Sequence, residues 1–360
     1  MELPFFNKKT KRRDQLIAID LGSRATKAVY LRRSGEGFEL AGFTIVDAPG
    51  LGDNKPSAEL LAEHLKQVHQ MLGSPTRNIV LAVGVQDSVL RNAELPMIPV
   101  PDLRTMLKFG SKNYLQEDLP GYVFDCQPLS FEAPPAPPED GKVKFNPASV
   151  RQRTLIGGMK QDRLAVLVEA AKQAGLLLDA VVPGHVGPIN ALELAENEVF
   201  GGEVVALVEV GFKNSCISIL SGGELVLNRV VSVGGDKLTN GLAETLSISY
   251  EEAEGIKIGM PQEVQSTLET LLLPLGRELR ASADFFEHQH EKPVAQVLVS
   301  GGCACSEFLA QMLQNELMAP CRNWDPTKTL ARALPPEQQE QFETNTARLS
   351  VAIGAAATVF

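Results

Sequence analysis

The sequence predicts a two-lobed α/β protein in which each lobe is built on a copy of the same three-stranded unit. Three observations predict this. The stretch "LIAIDLGSRATKAVYL" at 16–31 returns as "VALVEVGFKNSCISIL" at 205–220. Asp20 and Glu209, Gly22 and Gly211, and Thr26 and Ser215 are all 189 positions apart. Each copy then runs through a turn into a third strand, "RRSGEGFELAGFTIV" in the first and "SGGELVLNRVVSV" in the second, and alternating apolar residues with Gly-rich turns mark both as antiparallel meanders. At 360 residues the chain also exceeds the ~250–300 at which a single core stops growing.

The remaining elements follow in order. In the first lobe (core 14–94), "KPSAELLAEHLKQVHQMLG" has helical spacing, with Ser57 as N-cap and Gly73 as its end. "NIVLAVGVQ" reads as a buried strand. "MIPVPDLRTMLKFGSKNYLQEDLP" reads as a proline-marked crossing and a helix, and "FEAPPAPPEDGK", with the proline-rich 133–138, as an exposed loop. "TLIGGM", "KQDRLAVLVEAAKQAG" and "LDAVVPG" read as strand, helix and strand. Residues 95–160 are thereby set apart as an inserted α/β subdomain, after which the first-lobe core resumes over 161–202.

In the second lobe (core 203–245), "SVGGDKLTNGLAETL" turns on Gly234 and Gly235 into a helix whose first N–H groups are expected to be open to an anion. Residues 246–290 read as a helical subdomain. There "SYEEAEGIKIGM" puts Glu254 and Lys257 on one helical face, and the long amphipathic stretch after it has a potential break at Pro274. "VAQVLVSGGCACSEFLAQML" within 291–348 is strand, glycine pair and helix, and 349–360 is a C-terminal helix returning to the first lobe.

Composition narrows the function. The chain is 44% hydrophobic and 22% charged with a net charge of −10, and no basic run is interleaved with aromatics, which argues against a nucleic-acid surface. Its five cysteines (Cys126, Cys216, Cys303, Cys305, Cys321) form no CxxC pair, and "CAC" at 303–305 reads as packing in a reducing compartment. No window approaches the ~18 apolar residues of a membrane span, and the N-terminal stretch lacks the apolar core of a signal peptide. Lys8, Lys9, Lys11, Arg12 and Arg13 make 1–13 a basic tail, either solvated or laid on an anionic membrane face. Neither a P-loop nor a dinucleotide fingerprint is present. His64, His69, His288 and His290 lack metal-ligand spacing and read as surface residues.

Asp20 ends its strand beside Gly22, Ser23, Thr26 and Lys27, a richer set than a hairpin needs. Two such turns facing each other would aim Asp20 and Glu209 at a shared cleft. Turns of backbone N–H groups suit a chain of phosphates, and a pair of carboxylates suits a hydrated divalent cation.

Asp-x-Gly at 20–22, its echo at 209–211, "GGD" at 234–236, "AEGIK" at 253–257 and "VLVSGG" at 297–302 resemble, in order, the motifs of the actin, heat-shock-70 and sugar-kinase ATPase superfamily. That resemblance implies an actin-like (ribonuclease H-like) bilobal fold. Within the superfamily, the basic extension and the insertion at 95–160 resemble the PilM family of type IV pilus assembly proteins, relatives of FtsA. The close at "RLSVAIGAAATVF", without the amphipathic membrane helix that FtsA usually carries, points the same way.

The resemblance implies a site for ATP or ADP with Mg2+. Asp20, Gly22, Ser23, Thr26 and Lys27 would hold the phosphates, with Asp20 meeting the metal through water and Glu209 as the second acid of the metal site. Gly211 would close the other side, and Gly234 and Gly235 would approach the phosphates. Glu254 and Lys257 would flank ribose and base, and Gly301 and Gly302 would let the backbone run against the adenosine. It further implies a cytoplasmic scaffold at the inner face of the membrane. Its partners would be the cytoplasmic N-terminus of a PilN-like bitopic protein, other pilus components and further copies of itself. An FtsA-like filament former and a small-molecule kinase are the alternatives. Glu209 is one methylene longer than the usual Asp, and Phe212, Lys213 and Asn214 crowd the second turn. "VVPGHVGPINALELAE" offers no acid or glutamine before Glu193 to orient a water, only His185, so hydrolysis is expected to be slow or absent.

Overall fold

The computed structural model describes residues 13–35, 37–50, 55–129, 150–303 and 307–360. The basic tail through residue 12 and the proline-rich loop at 133–138 lie outside the described residues. The first lobe opens with the meander β1 (Gln15–Leu21), β2 (Ala25–Ser34) and β3 (Gly37–Asp47). Helix α1 (Ala58–Leu72) follows, with the Ser57 hydroxyl accepting from the Leu60 N–H and Gly73 closing it at φ 56°. Strand β4 (Asn78–Val83) then runs parallel to β1.

The chain next leaves this sheet for β5 (Ser88–Pro96), α2 (Val100–Leu115), β6 (Tyr122–Pro128) and β7 (Arg151–Lys160). These strands form a separate sheet in the order β5-β7-β6, sealed by α2 through Leu95, Leu103, Leu107, Phe124 and Ile156. The boundary read at residue 95 therefore falls at the end of β5 rather than before it. Strand β4 passes into β5 through the tight turn Gly84–Asp87, and both strands carry apolar residues, so composition does not mark the change of sheet.

Helix α3 (Gln161–Gln173), β8 (Leu177–Pro183), α4 (Gly187–Ala195) and α5 (Asn197–Gly202) complete the first lobe. The second lobe contains β9 (Val204–Val210), β10 (Ser215–Ser221), β11 (Glu224–Val231), α6 (Gly235–Leu246), α7 (Tyr250–Gly259) and α8 (Gln265–His290). It continues with β12 (Gln296–Ser300), α9 (Glu307–Leu317) and β13 (Cys321–Asn323). The segments β14 (Ala331–Arg332), α10 (Pro336–Glu343) and α11 (Ser350–Ala357) then lead back, with β14 adding to the first sheet beside β3.

The two large sheets share one topology. The first is ordered β14-β3-β2-β1-β4-β8 and the second β11-β10-β9-β12-β13. In each, an antiparallel meander is followed by two parallel strands stacked beside its first strand. The duplication therefore extends over five strands, not the three visible as sequence similarity.

The central strands are buried on both faces. In β1, Leu16 and Ala18 enter one core and Ile17 and Ile19 another, as a period of two requires. In β9, Val205 and Leu207 share the first core with Leu16, while Ala206 and Val208 face the helices of the second lobe. Helices α4 and α11 occupy that shared core. They approach so closely that a Cβ on Gly354 would lie 1.7 Å from the Gly187 carbonyl oxygen. Helix α8 runs unbroken through Pro274, because its buried stripe, Leu268, Leu272, Leu275, Leu279 and Phe286, continues on both sides of the proline.

Candidate functional site

Between the lobes lies a cleft of about 760 Å³, walled by the β1–β2 turn, the β9–β10 turn, the start of α6 and helix α7. Strand register places the first group. Asp20 stands directly across from Lys27 in the β1–β2 ladder, and the Lys27 ammonium lies 2.8 Å from the Asp20 carboxylate. Asp20 is 5% exposed, so this is a sheltered ion pair. Gly22 is required here, since a Cβ would meet the Ala25 oxygen at 2.6 Å and the Lys27 Nζ at 2.8 Å. Ser23 stands exposed on the turn at the cleft wall. The buried Thr26 hydroxyl is 2.8 Å from Nε2 of His64 on α1. His64 is thus not the surface residue expected: helical periodicity turns it inward beneath the β1–β2 turn, where burial lowers its pKa. His69 is also engaged, through its Nε2 and the Thr76 carbonyl at 2.9 Å.

The second turn solves the same problem differently. Glu209 accepts hydrogen bonds from Ser300 and, at 2.9 Å, from Ser350 on α11. Burial pushes its carboxyl up to about 7, against the pull of the two hydroxyls and the Lys27 charge, with the Asp20 carboxylate adding to the rise. Gly211 bends the chain so tightly that a Cβ would lie 2.7 Å from the Asn214 oxygen. The Phe212 ring meets the Arg24 guanidinium at 5.3 Å, so the two turns touch across the cleft. Lys213 reaches Asp236 on α6 at 3.0 Å.

The first two N–H groups of α6 are engaged rather than open. The Gly235 N–H donates to the Gly211 oxygen at 3.0 Å and the Asp236 N–H to the Phe212 oxygen at 2.9 Å. The expectation of free N–H groups at this turn fails for these two, because the second turn folds back onto them. Gly235 lines the cleft. Gly234 packs behind it, where a Cβ would come within 2.4 Å of the Phe212 oxygen. Gly302 lines the cleft, while Gly301, at φ 103°, lies against the Val210 backbone and donates to Ala347.

Glu254 and Lys257 pair at 2.6 Å, and Lys257 also donates to Thr239 at 2.6 Å and to the Gly235 oxygen at 3.2 Å. Burial opposes ionisation of Glu254, but the bonds from Lys257 and Thr239 prevail and hold its carboxyl below the usual range. His185 lines the same cleft at the turn into α4, 3% exposed, with a buried Nδ1 that has no partner. Burial and the Arg91 charge push it down to about 4, so it is neutral at pH 7.

Several lining residues escaped the sequence reading. Arg24 is the counterpart, under the 189-residue offset, of Lys213, which reads in the sequence only as crowding the second turn, and extending the repeat by two positions would have found it. Lys55, Asp87 and Arg163 meet at the cleft mouth from three distant segments, and no local pattern marks them.

The tight glycine turns, the volume and the lysines and arginines that alternate with acids along the lining can accommodate a nucleotide polyphosphate. The expected Mg2+ pair does not fit. Asp20 is already engaged by an ammonium and Glu209 by two hydroxyls, and among the described residues no group of three or more His, Cys, Asp or Glu is arranged to hold a metal ion.

The geometry has solved counterparts. A PilM–PilN type IV pilus biogenesis complex superposes with a TM-score of 0.80 at 21% identity, over 96% of this chain and 98% of that one. The ethanolamine utilization protein EutJ from Carboxydothermus hydrogenoformans follows at 0.53 and 14% identity, over 97% and 91%. The fold is accordingly the actin-like ATPase fold. The cell division protein FtsA of Bacillus subtilis (strain 168) is 23% identical over 261 residues, 67% of this chain and 57% of FtsA, so the chain spans less than two thirds of that relative. The family model for type IV pilus assembly protein PilM matches residues 155–360, more than half of the chain. With the duplicated sheets, the paired turns and that match together, the chain belongs to the type IV pilus assembly protein PilM family.

Proposed function

We propose that this protein is a nucleotide-binding scaffold of type IV pilus assembly. ATP or ADP would sit between the two turns, and the cytoplasmic N-terminus of a PilN-like inner-membrane protein would dock on the subdomain built around the third sheet. The observation that carries this reading is the attachment of that sheet to both lobes. It leaves the first lobe through the tight turn from β4. It reaches the second through Asn92, whose Nδ2 donates to the Leu225 and Val226 oxygens at 2.7 and 3.2 Å, and through the Arg153–Glu224 pair at 3.3 Å. A ligand that sets the angle between the lobes therefore acts on this sheet and on α2. On α2, Phe109 is 81% exposed beside the non-helical Gly110, an apolar side chain suited to an incoming peptide.

The solved PilM–PilN complex supports the choice of partner. No described helix is long and apolar enough to cross a membrane, and a peripheral position at the inner face would come from the partner. The stretch where a water-orienting acid or glutamine is expected offers only the buried His185, which supports slow turnover.

The test is calorimetry of a PilN-like N-terminal peptide with and without saturating ATP. A change in peptide affinity of about fivefold or more, abolished by Asn92→Ala with Arg153→Ala, is expected. No peptide binding, or an affinity indifferent to nucleotide, overturns the scaffold reading. The second reading is a filament-forming relative of the cell division protein FtsA, and ATP-dependent sedimentation of the purified protein would support it.

A further inference from the structure

We infer that Lys27 is the resident cation of the cleft, and that a nucleotide polyphosphate binds there without a divalent metal. This rests on the nucleotide reading above. Four of the carboxylates lining the cleft come with ammonium groups already attached, Asp20 among them. Asp20 holds Lys27 at 2.8 Å, Glu254 holds Lys257 at 2.6 Å, Asp236 holds Lys213 at 3.0 Å, and Asp87 holds Lys55. Mg2+ demands a near-octahedral shell of oxygens at about 2.0–2.1 Å, usually including one or two carboxylates. Whether it met Asp20 directly or through one of its waters, it would bring a second cation beside the Lys27 ammonium, and like charges in a sheltered site repel strongly.

Lys27 is not a loosely held side chain that could swing clear. Its side chain is 17% exposed and that of Asp20 8%, and the strand register holds the two opposite each other. The ammonium also lies close under the turn, 2.8 Å from where a Cβ on Gly22 would be. The other expected metal ligand, Glu209, lines the same cleft, but its Oε2 already accepts from both Ser300 and Ser350.

What remains suits an anion. An ammonium has three N–H donors; Asp20 takes one, and a phosphate oxygen can take another as a charge-assisted bond. Arg24, on the same turn, stands at the cleft and adds a positive charge near Lys27. Both neutralisation and orientation are thus available from side chains, which removes the work that a metal does in bridging phosphates.

The deciding experiment titrates the full chain with ATP by calorimetry, once in excess EDTA and once in millimolar Mg2+. Affinities within about threefold of each other are expected for the wild type. Lys27→Met should weaken binding in EDTA by about a hundredfold, and Mg2+ should restore part of it because Asp20 is then free. Lys27→Arg should retain most of the metal-independent binding. A wild type that binds ATP at least about tenfold more tightly with Mg2+ overturns the inference and leaves the nucleotide reading standing. Unchanged binding by a folded Lys27→Met in EDTA likewise overturns it. Absence of ATP binding in both buffers overturns the nucleotide reading and the inference together. If Lys27→Met fails to fold, the wild-type comparison and Lys27→Arg still decide.

Discussion

The β1–β2 and β9–β10 turns descend from one unit and lie on opposite walls of one cleft, yet they hold their acids in opposite ways. In the first, the residue across the ladder from Asp20 is Lys27; in the second, the residue across from Glu209 is Cys216. An ammonium keeps the first carboxylate paired and sheltered. A thiol cannot do this, and burial pushes Cys216 itself up to about 11. Glu209 is therefore left to two serine hydroxyls, which tie β9 to β12 and α11. One copy has become a charged turn suited to a ligand, and the other a buried pin that joins elements of the fold. A duplicated backbone leaves function to the few positions where the copies differ.

The largest test of this contrast is steric. Gly234→Val would drive a side chain into the Phe212 oxygen at 2.4 Å and the Gly211 oxygen at 2.8 Å, both backbone atoms of the pin. Its φ of −158° is open to any residue, so the cost is pure overpacking, expected at about 3 kcal/mol in denaturant unfolding. Gly22→Val meets one backbone oxygen and the movable end of Lys27, so it should cost less, about 2 kcal/mol, while displacing the ammonium. Equal losses would erase the distinction between the two turns.

The next test is pH. Because the Glu209 carboxyl is raised from 4.5 to about 7, the native state binds its proton more tightly than the unfolded chain does. Its contribution is present below about pH 4.5 and is lost as pH rises towards 7, about 3 kcal/mol in all. His185, lowered from 6.5 to about 4, has the opposite slope below pH 6.5, and Asp125, raised to about 6, adds to the Glu209 slope. The difference between wild type and Glu209→Gln cancels both. Thermal unfolding from pH 5 to 8 should show the variant gaining on the wild type as pH rises, and a constant gap would remove Glu209 as the source.

A smaller effect separates the two anchors of the turns. Thr26→Val leaves the buried His64 ring nitrogen without its partner and should cost about 2 kcal/mol. Ser215→Ala removes a bond to the Val233 oxygen at 2.6 Å and should cost about 1 kcal/mol. Denaturant midpoints check the order. The smallest effect is Arg24→Ala, which removes the contact with Phe212 for about 0.5–1 kcal/mol. Limited proteolysis should find the cleft more open in that variant; an unchanged pattern would mean that the two turns do not hold each other.

The bilobal plan was legible because its signals are local. Period-two burial in β1 and β9, the Ser57 and Gly73 caps and the repeated Asp/Glu-x-Gly turns all act within a few residues of themselves. The further two strands of each duplicated half were not recognised as equivalent, since β4, β8, β12 and β13 are held by parallel ladders between distant segments and share no turn chemistry with one another. Local propensity misled at Pro274, where the packing of α8 on both sides of the proline overrides the lost N–H. It misled again at His64, whose burial depends on what α1 lies upon.

The sequence by itself determined the duplicated meanders, the glycine turns that face the cleft, and the acids and bases available there. Strand register and turn closure depend only on residues close in the chain. How those charges are shared came from the packing of the folded chain: the Asp20–Lys27 pair is sheltered inside the cleft, Glu209 accepts from serines of β12 and α11, and the Gly235 and Asp236 amides are taken by the β9–β10 turn. The physical reason is that a charge or a buried N–H is satisfied by whatever folding brings within about 3 Å of it, and that neighbour is set by the packing of segments far apart in the chain.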